Sequence, residues 1–180
     1  MATIEEAVRQ FLLQLWNTYG FYVLYANANE VAPSPVGSQQ LTDLDRWALS
    51  RLQETVAVVR ERLDDFDATV SGREIQRFVD DLSNWYVRRS RRRFWDGDPA
   101  AFATLRHCLV TVSQLLAPFC PFIADEIFDN LDGSEPSVHL CDGRRHRRAM
   151  RSSSGSSRSR AGASGQSQRC TDGSSPPSTT

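Results

Sequence analysis

The chain has 180 residues, a net charge of −1 and 40% apolar residues, a length that allows one domain plus some additional sequence. No stretch reaches the roughly 18 apolar residues of a membrane span, and the N-terminus lacks the basic region, apolar run and cleavage site of a signal peptide. The near-neutral total hides an asymmetry: residues 1–140 hold 13 arginines against 20 carboxylates, a net −7, while residues 141–180 hold 8 against 2, a net +6. Nucleic acid would therefore meet the acidic globular part through a local patch and not through its overall field.

Lysine is absent, so all 21 basic side chains are arginine, which suits phosphate binding and base stacking. Cys108, Cys120, Cys141 and Cys170 form no CxxC pair, and His107, His139 and His146 have no ligand spacing with them. Neither a zinc site nor an oxidising compartment is expected. Cys108 and Cys120 sit in apolar helical sequence and read as small core residues.

The first predicted helix opens at Thr3, which has capping-box spacing to Glu6. Val8, Phe11, Leu12, Leu15, Tyr19, Tyr22 and Val23 form its apolar stripe, and Leu13, Trp16, Phe21 and Leu24 lie off it. Apolar residues on several faces predict a central, buried helix, or in a fragment an exposed apolar surface. Pro33, Pro35 and Gly37 mark 31–40 as a loop. The second helix starts with Thr42 as its cap and Asp45 in its first turn. Its stripe runs through Leu44, Ala48, Leu52, Val56, Val59, Leu63 and Phe66.

The third helix carries the most distinctive stretch. Ser71 and Glu74 have capping-box spacing, and Val70 is placed to staple onto Ile75. Ile75, Phe78, Val79, Leu82, Trp85 and Tyr86 step by three and four as one stripe, so Trp85 and Tyr86 read as core. Five arginines then fall within the six residues from Arg88 to Arg93. Continuing the 3.6-residue phase puts Arg89 and Arg93 on the packed side, where a cation needs a carboxylate. The opposite face carries Asp81, Asn84, Arg88, Arg91, Arg92 and Trp95. Guanidinium groups neutralise phosphate, and flat rings or guanidinium planes stack on unpaired bases. Arg88, Arg91, Arg92, Trp95 and Asn84 are therefore the candidate RNA-binding residues. The competing reading is a solvated helix end, since cations favour the last turn.

Asp96-Gly97-Asp98-Pro99 stops this helix and starts the fourth, with Asp98 as cap and Pro99 in the first turn. The fourth helix carries Phe102, Leu105, Leu109, Val112 and Leu116 on one face and ends before Pro118. Pro121 starts a short fifth, with Ile123, Ile127 and Leu131 inside. Asp125, Glu126 and Asp129 of this helix are candidate ion-pair partners for Arg89 or Arg93, or else a plain polar face. Five amphipathic helices with short connections predict an all-α antiparallel bundle over residues 1–142. Residues 143–180 are Arg, Ser, Gly, Gln and Pro with almost nothing apolar and are expected to be disordered. Their Arg/Ser content offers a second route to RNA.

Four segments, Phe11 to Asn27, Asp45 to Gln53, Asp81 to Trp95 and Leu116 to Glu126, resemble isoleucyl-tRNA synthetases, which are class I aminoacyl-tRNA synthetases. Trp16-Asn17 and Asp45-Arg46-Trp47 also look valyl; the run from Asn84 to Trp95 is the specific one and looks isoleucyl. The resemblance covers the chain from about Thr3 to Cys141. It implies the anticodon-binding helical domain, with isoleucine tRNA as partner, the catalytic domain of the same enzyme as neighbour, and a cytoplasmic location. Enzymes of this family use ATP to make isoleucyl-adenylate on a Rossmann domain bearing His-Ile-Gly-His and Lys-Met-Ser-Lys-Ser type motifs. This chain contains neither, so it is expected to have no catalytic residue, no cofactor and no aminoacylation activity alone. After Ser137 to Asp142 the resemblance implies Trp-Pro and more helix, yet Gly143-Arg144-Arg145-His146 follows. The tail reads as a frame-shifted or mis-called terminus of a GC-rich gene. Two alternatives remain: a stand-alone helical module that docks an acidic protein, and the corresponding domain of a valyl enzyme.

Overall fold

In a computed structural model, residues 8–32, 34–37, 40–132 and 134–141 are described, with side chains from residue 10 onward. The Thr3–Glu6 cap and the 143–180 tail lie outside the described residues. Helix α1 covers residues 8–28, a π-helical turn Val8–Leu12 running into the α-helix Leu13–Ala28. Helix α2 is Asp43–Asp64. Helix α3 covers residues 68–95 in three parts: α-helical Ala68–Asp81, a π-helical turn Leu82–Val87, and α-helical Arg88–Trp95. Helices α4, Pro99–Leu116, and α5, Pro121–Leu131, follow, then a short 3-10 turn, Val138–Leu140. Among the described residues there is no strand, and no helix is long and apolar enough to cross a membrane. The expected all-α bundle of five helices is what forms.

Local chemistry explains most of the boundaries. Thr42 and Asp45 satisfy each other at the start of α2: Thr42 Oγ1 accepts from the Asp45 N–H, and Asp45 Oδ2 accepts from the Thr42 N–H at 2.9 Å. Asp98 caps α4 by accepting from the Ala100 N–H at 2.9 Å, with Pro99 in the first turn. The cap of α3 is Asp67, not Ser71. Asp67 accepts from the Val70 N–H at 3.1 Å, while Ser71 is buried one turn inside the helix and donates to Asp67 O at 2.9 Å. Glu74 pairs with Arg77 instead of closing a capping box. The helix starts earlier because Asp67, itself a strong N-cap type, follows the turn that ends α2.

The same turn removes Phe66 from the α2 stripe. The chain goes left-handed there, at φ 61°, and the ring is 95% exposed. At the other end of α3 a left-handed Gly97, φ 74°, closes the helix. Gly97 N–H donates to Phe94 O and Asp98 N–H to Arg93 O, which is the paired arrangement of a glycine C-terminal cap. Asn29 at the end of α1 donates from Nδ2 to both Tyr25 O, at 2.9 Å, and Phe94 O, at 3.2 Å. It ties the ends of α1 and α3 together.

The central helix is α4, not α1. Most of α4 is buried, and it packs against α1, α2, α3 and α5. Helix α1 buries Leu15, Thr18 and Tyr22 but leaves Leu13, Trp16 and Leu24 exposed, because neighbours cover it on one side only. Helices α2 and α3 run antiparallel, as the Arg51–Asp81 pair at 3.1 Å and the Arg93–Asp45 pair at 2.8 Å require. The core around the C-terminal end of α3 is aromatic. Phe94, fully buried, meets Phe21, Tyr86 and Phe102 edge-on, the arrangement ring quadrupoles favour.

Candidate nucleic-acid interface

The π turn decides where the arginines point. A π turn closes its hydrogen bonds over one residue more than an α turn, so everything beyond it slips by one position against an unbroken α phase. The buried stripe of α3 accordingly runs Ile75, Phe78, Val79, Leu82, Tyr86 and Val87, then Ser90 and Phe94. Ser90 and Phe94 occupy the inward places that an unbroken phase assigns to Arg89 and Arg93. Trp85, expected in the core, is 50% exposed; Tyr86 is buried as expected.

Arg89 is exposed, which corrects its placement on the packed side. Its guanidinium lies 4.1 Å over the Trp85 ring, a cation–π contact in place of an ion pair. Arg93 is ion-paired, but to Asp45 and Asp98. Its Nε donates to Asp98 Oδ2 at 2.7 Å, and its two terminal nitrogens donate to Asp45 Oδ1 and Oδ2 at 2.9 and 2.8 Å. The carboxylates of α5 play no part. Asp125 accepts from the Val138 N–H and Ser137 Oγ, both at 2.8 Å, and holds the 3-10 turn; these bonds lower its pKa. Glu126 accepts from Asn130. Helix α5 packs chiefly on α4 and the 3-10 turn, so these groups do not reach the arginines.

Asp45 is the centre of a buried cluster. It has no solvent exposure and also accepts from Tyr86 Oη, at 2.7 Å, and Thr42 Oγ1, at 2.8 Å. Burial alone would raise its pKa. The bonds from Arg93, Tyr86 and Thr42 outweigh that and lower it from 3.8 to about 2. Burial, then the adjacent Asp45, push the Tyr86 phenol up, and bonding to Asp45 raises Arg93. The cluster is a charged, hydrogen-bonded clamp between α2 and the last turns of α3.

On the opposite flank of α3 lies a groove against α1. Asn17, Thr18 and Phe21 of α1 face Ser83, Asn84, Val87, Arg88 and Arg91 of α3. Through Asn17, Ser83 and Asn84 the groove continues into a wider hollow bordered by Gln10, Leu13, Gln14, Gln76 and Asp80. Among the described residues Arg88, Arg89 and Arg91 have no ion-pair partner. Arg92 points outward, its side chain 92% exposed and 3.8 Å from Asp96. Trp95 is 74% exposed, one turn beyond Arg91, with Tyr25 of α1 beside it.

Three of the five candidate RNA-binding residues, Asn84, Arg88 and Arg91, therefore share one groove; Arg92 and Trp95 are exposed on the same helix but are not among the residues that line it. Asn17 and its carboxamide neighbours Gln10, Gln14 and Gln76 are not distinguished by sequence pattern. Asn17 stands in the Trp16-Asn17 pair, the one hint available, but the pairing of α1 with α3 is what makes it part of a site. Carboxamides beside guanidinium groups that have no ion-pair partner among the described residues suit unpaired nucleotides: amides can bond base edges and guanidinium can hold phosphate.

The chain matches a family described as anticodon-binding domain of tRNA ligase over residues 45–149. It is 52% identical over 143 residues to the isoleucine–tRNA ligase of Deinococcus radiodurans, covering 76% of this chain and 13% of that protein. It is 51% identical over 145 residues to isoleucine–tRNA ligase 2 of Bacillus cereus, covering 78% and 14%. A third relative, the isoleucine–tRNA ligase of Dehalococcoides mccartyi, is 50% identical over 150 residues, covering 77% and 15%. The chain thus spans about one seventh of the length of these curated relatives. The helical bundle and the family match over more than half its length agree: the chain belongs to the family of tRNA-ligase anticodon-binding domains.

Proposed function

We propose that the bundle recognises the anticodon arm of isoleucine tRNA, as one part of an isoleucine–tRNA ligase. The observation that carries this is the pair of arginines along the α1/α3 groove, Arg88 and Arg91, which have no ion-pair partner among the described residues, together with the exposed Arg92 and Trp95 on the same helix. Phosphate contacts from these arginines fix the position of the RNA, and base contacts from Asn84 supply sequence information. The relatives named above are isoleucine–tRNA ligases, which favours isoleucine over valine tRNA and RNA over an acidic protein. The helical domain of this proposal is 1–142. Aminoacylation and ATP use belong to a catalytic domain of the same enzyme, and the setting is cytoplasmic translation.

The test is binding of an RNA hairpin carrying the isoleucine anticodon stem and loop, measured against salt. Affinity should fall with rising salt. Replacing Arg88, Arg91 and Arg92 by alanine should flatten the log–log slope by about 0.7–0.9 for each lost phosphate contact. An unchanged slope in that triple variant overturns the assignment. Equal affinity for a valine hairpin overturns the isoleucine part alone.

A further inference from the structure

The clamp on the α2 side and the groove on the α1 side share the last two turns of α3. Tyr86 and Arg93, one at each end of this segment, both bind Asp45. Between them lie Arg88, Arg91 and Arg92. Asp45 thus holds the arginine segment at two points, 41 and 48 residues away in sequence. Asp98 gives Arg93 a second anchor, and the Asn29 side chain fastens the end of the helix to α1. The segment follows a π turn, Leu82–Val87, a rare helical form that breaks the α-helical phase by one residue. A helix interrupted there needs fixing from outside if its far end is to keep one rotational setting.

We infer that Asp45 is a positioning residue for RNA binding: through Tyr86 and Arg93 it sets the rotation of the Arg88–Trp95 segment so that Arg88 and Arg91 line the groove. This rests on the RNA-binding reading above. Asp45 itself is fully buried and cannot touch a ligand. The inference makes a prediction opposite in sign to simple electrostatics. Replacing Asp45 by asparagine removes a negative charge and leaves Arg93 less neutralised, which by charge alone should strengthen RNA binding. Loss of positioning should weaken it.

The experiment measures binding of the same anticodon hairpin to the full 180-residue chain at a temperature where each variant is fully folded by circular dichroism. Asp43→Asn serves as the charge control, since the Asp43 side chain is fully exposed on the same helix. Asp45→Asn is expected to bind about tenfold more weakly, the scale of one lost charge-assisted contact, with a shallower salt slope. Asp43→Asn is expected to bind as well as or slightly better than the parent chain. Tyr86→Phe, which changes no charge, should weaken binding in the same direction and covers the case in which Asp45→Asn does not fold. If folded Asp45→Asn, or Tyr86→Phe where only that variant folds, binds the hairpin as tightly as the parent or more tightly, the inference is overturned. The Arg88, Arg91 and Arg92 triple variant separates the two claims: if its salt slope is unchanged the RNA site is misplaced, whereas a flattened slope with normal binding by Asp45→Asn overturns the positioning role alone.

Discussion

Arg91 and Arg93 are two residues apart on one helix and face chemically opposite surroundings. Arg91 lines the groove with α1 and has no ion-pair partner among the described residues. Arg93 is held by two carboxylates, one of them fully buried. A guanidinium already bound by Asp45 and Asp98 has few donors left for a ligand, whereas one beside carboxamides keeps its donors. The contrast shows that a basic run cannot be treated as one patch. Its members divide between binding and architecture according to which neighbouring helix each one meets.

That division makes distinct demands on stability and on binding. The largest effect is expected on the architectural side. Phe94→Ala should cost about 3–5 kcal/mol, since its fully buried ring meets three others; thermal denaturation would read this as a large fall in Tm. Arg93→Met should cost about 3 kcal/mol, because it strips the buried Asp45 of its cation. At about 2–4 °C per kcal/mol for a chain of this size, that is roughly a 10 °C fall. A loss no greater than that of Arg91→Met would erase the distinction between the two arginines.

Acid should act on the clamp. The Asp45 pKa drops from 3.8 to about 2 on folding, so in this range the unfolded chain binds more protons than the folded one. The stabilisation is complete above pH 3.8 and is lost as the pH falls through about 2. One such group contributes about 2 kcal/mol. Denaturant titrations of the parent chain and of Asp45→Asn should converge as the pH is lowered across that window. Parallel curves would place the acid-sensitive group elsewhere.

The smallest stability effects belong to the binding side. Arg89→Ala removes one cation–π contact, about 0.5 kcal/mol at an exposed site, and should leave the RNA salt slope unchanged. Arg92→Ala should leave Tm unchanged, because its ion pair with Asp96 is exposed and long, yet should flatten the slope by about 0.7–0.9. The reverse result, with Arg89 controlling the slope and Arg92 inert, would mean that RNA meets α3 at the Arg89–Trp85 face.

The amphipathic stripes apart from Phe66 and Trp85, the Thr42, Asp98 and Pro121 helix starts and the all-α class are legible from residue spacing, since each rests on contacts within a few positions along the chain. So is the family resemblance that the Asn84 to Trp95 run carries, which the match to isoleucine–tRNA ligases bears out. Sequence does not separate the Ser71 start from the Asp67 start that forms, because two acceptable caps lie one turn apart and local chemistry does not choose between them. The rotational setting of the arginines was out of reach for a deeper reason. Trp85 and Tyr86 both continue an unbroken 3.6-residue stripe, so apolar spacing permits a regular helix as readily as one with a π turn. The contacts that accompany the π turn are distant: Phe94 fits among Phe21, Tyr86 and Phe102, and Arg93 finds a carboxylate on α2. Helix periodicity is a short-range property that amino-acid order carries directly, whereas which arginine is neutralised depends on side chains 48 positions apart meeting where two helices pack, at a partly buried junction.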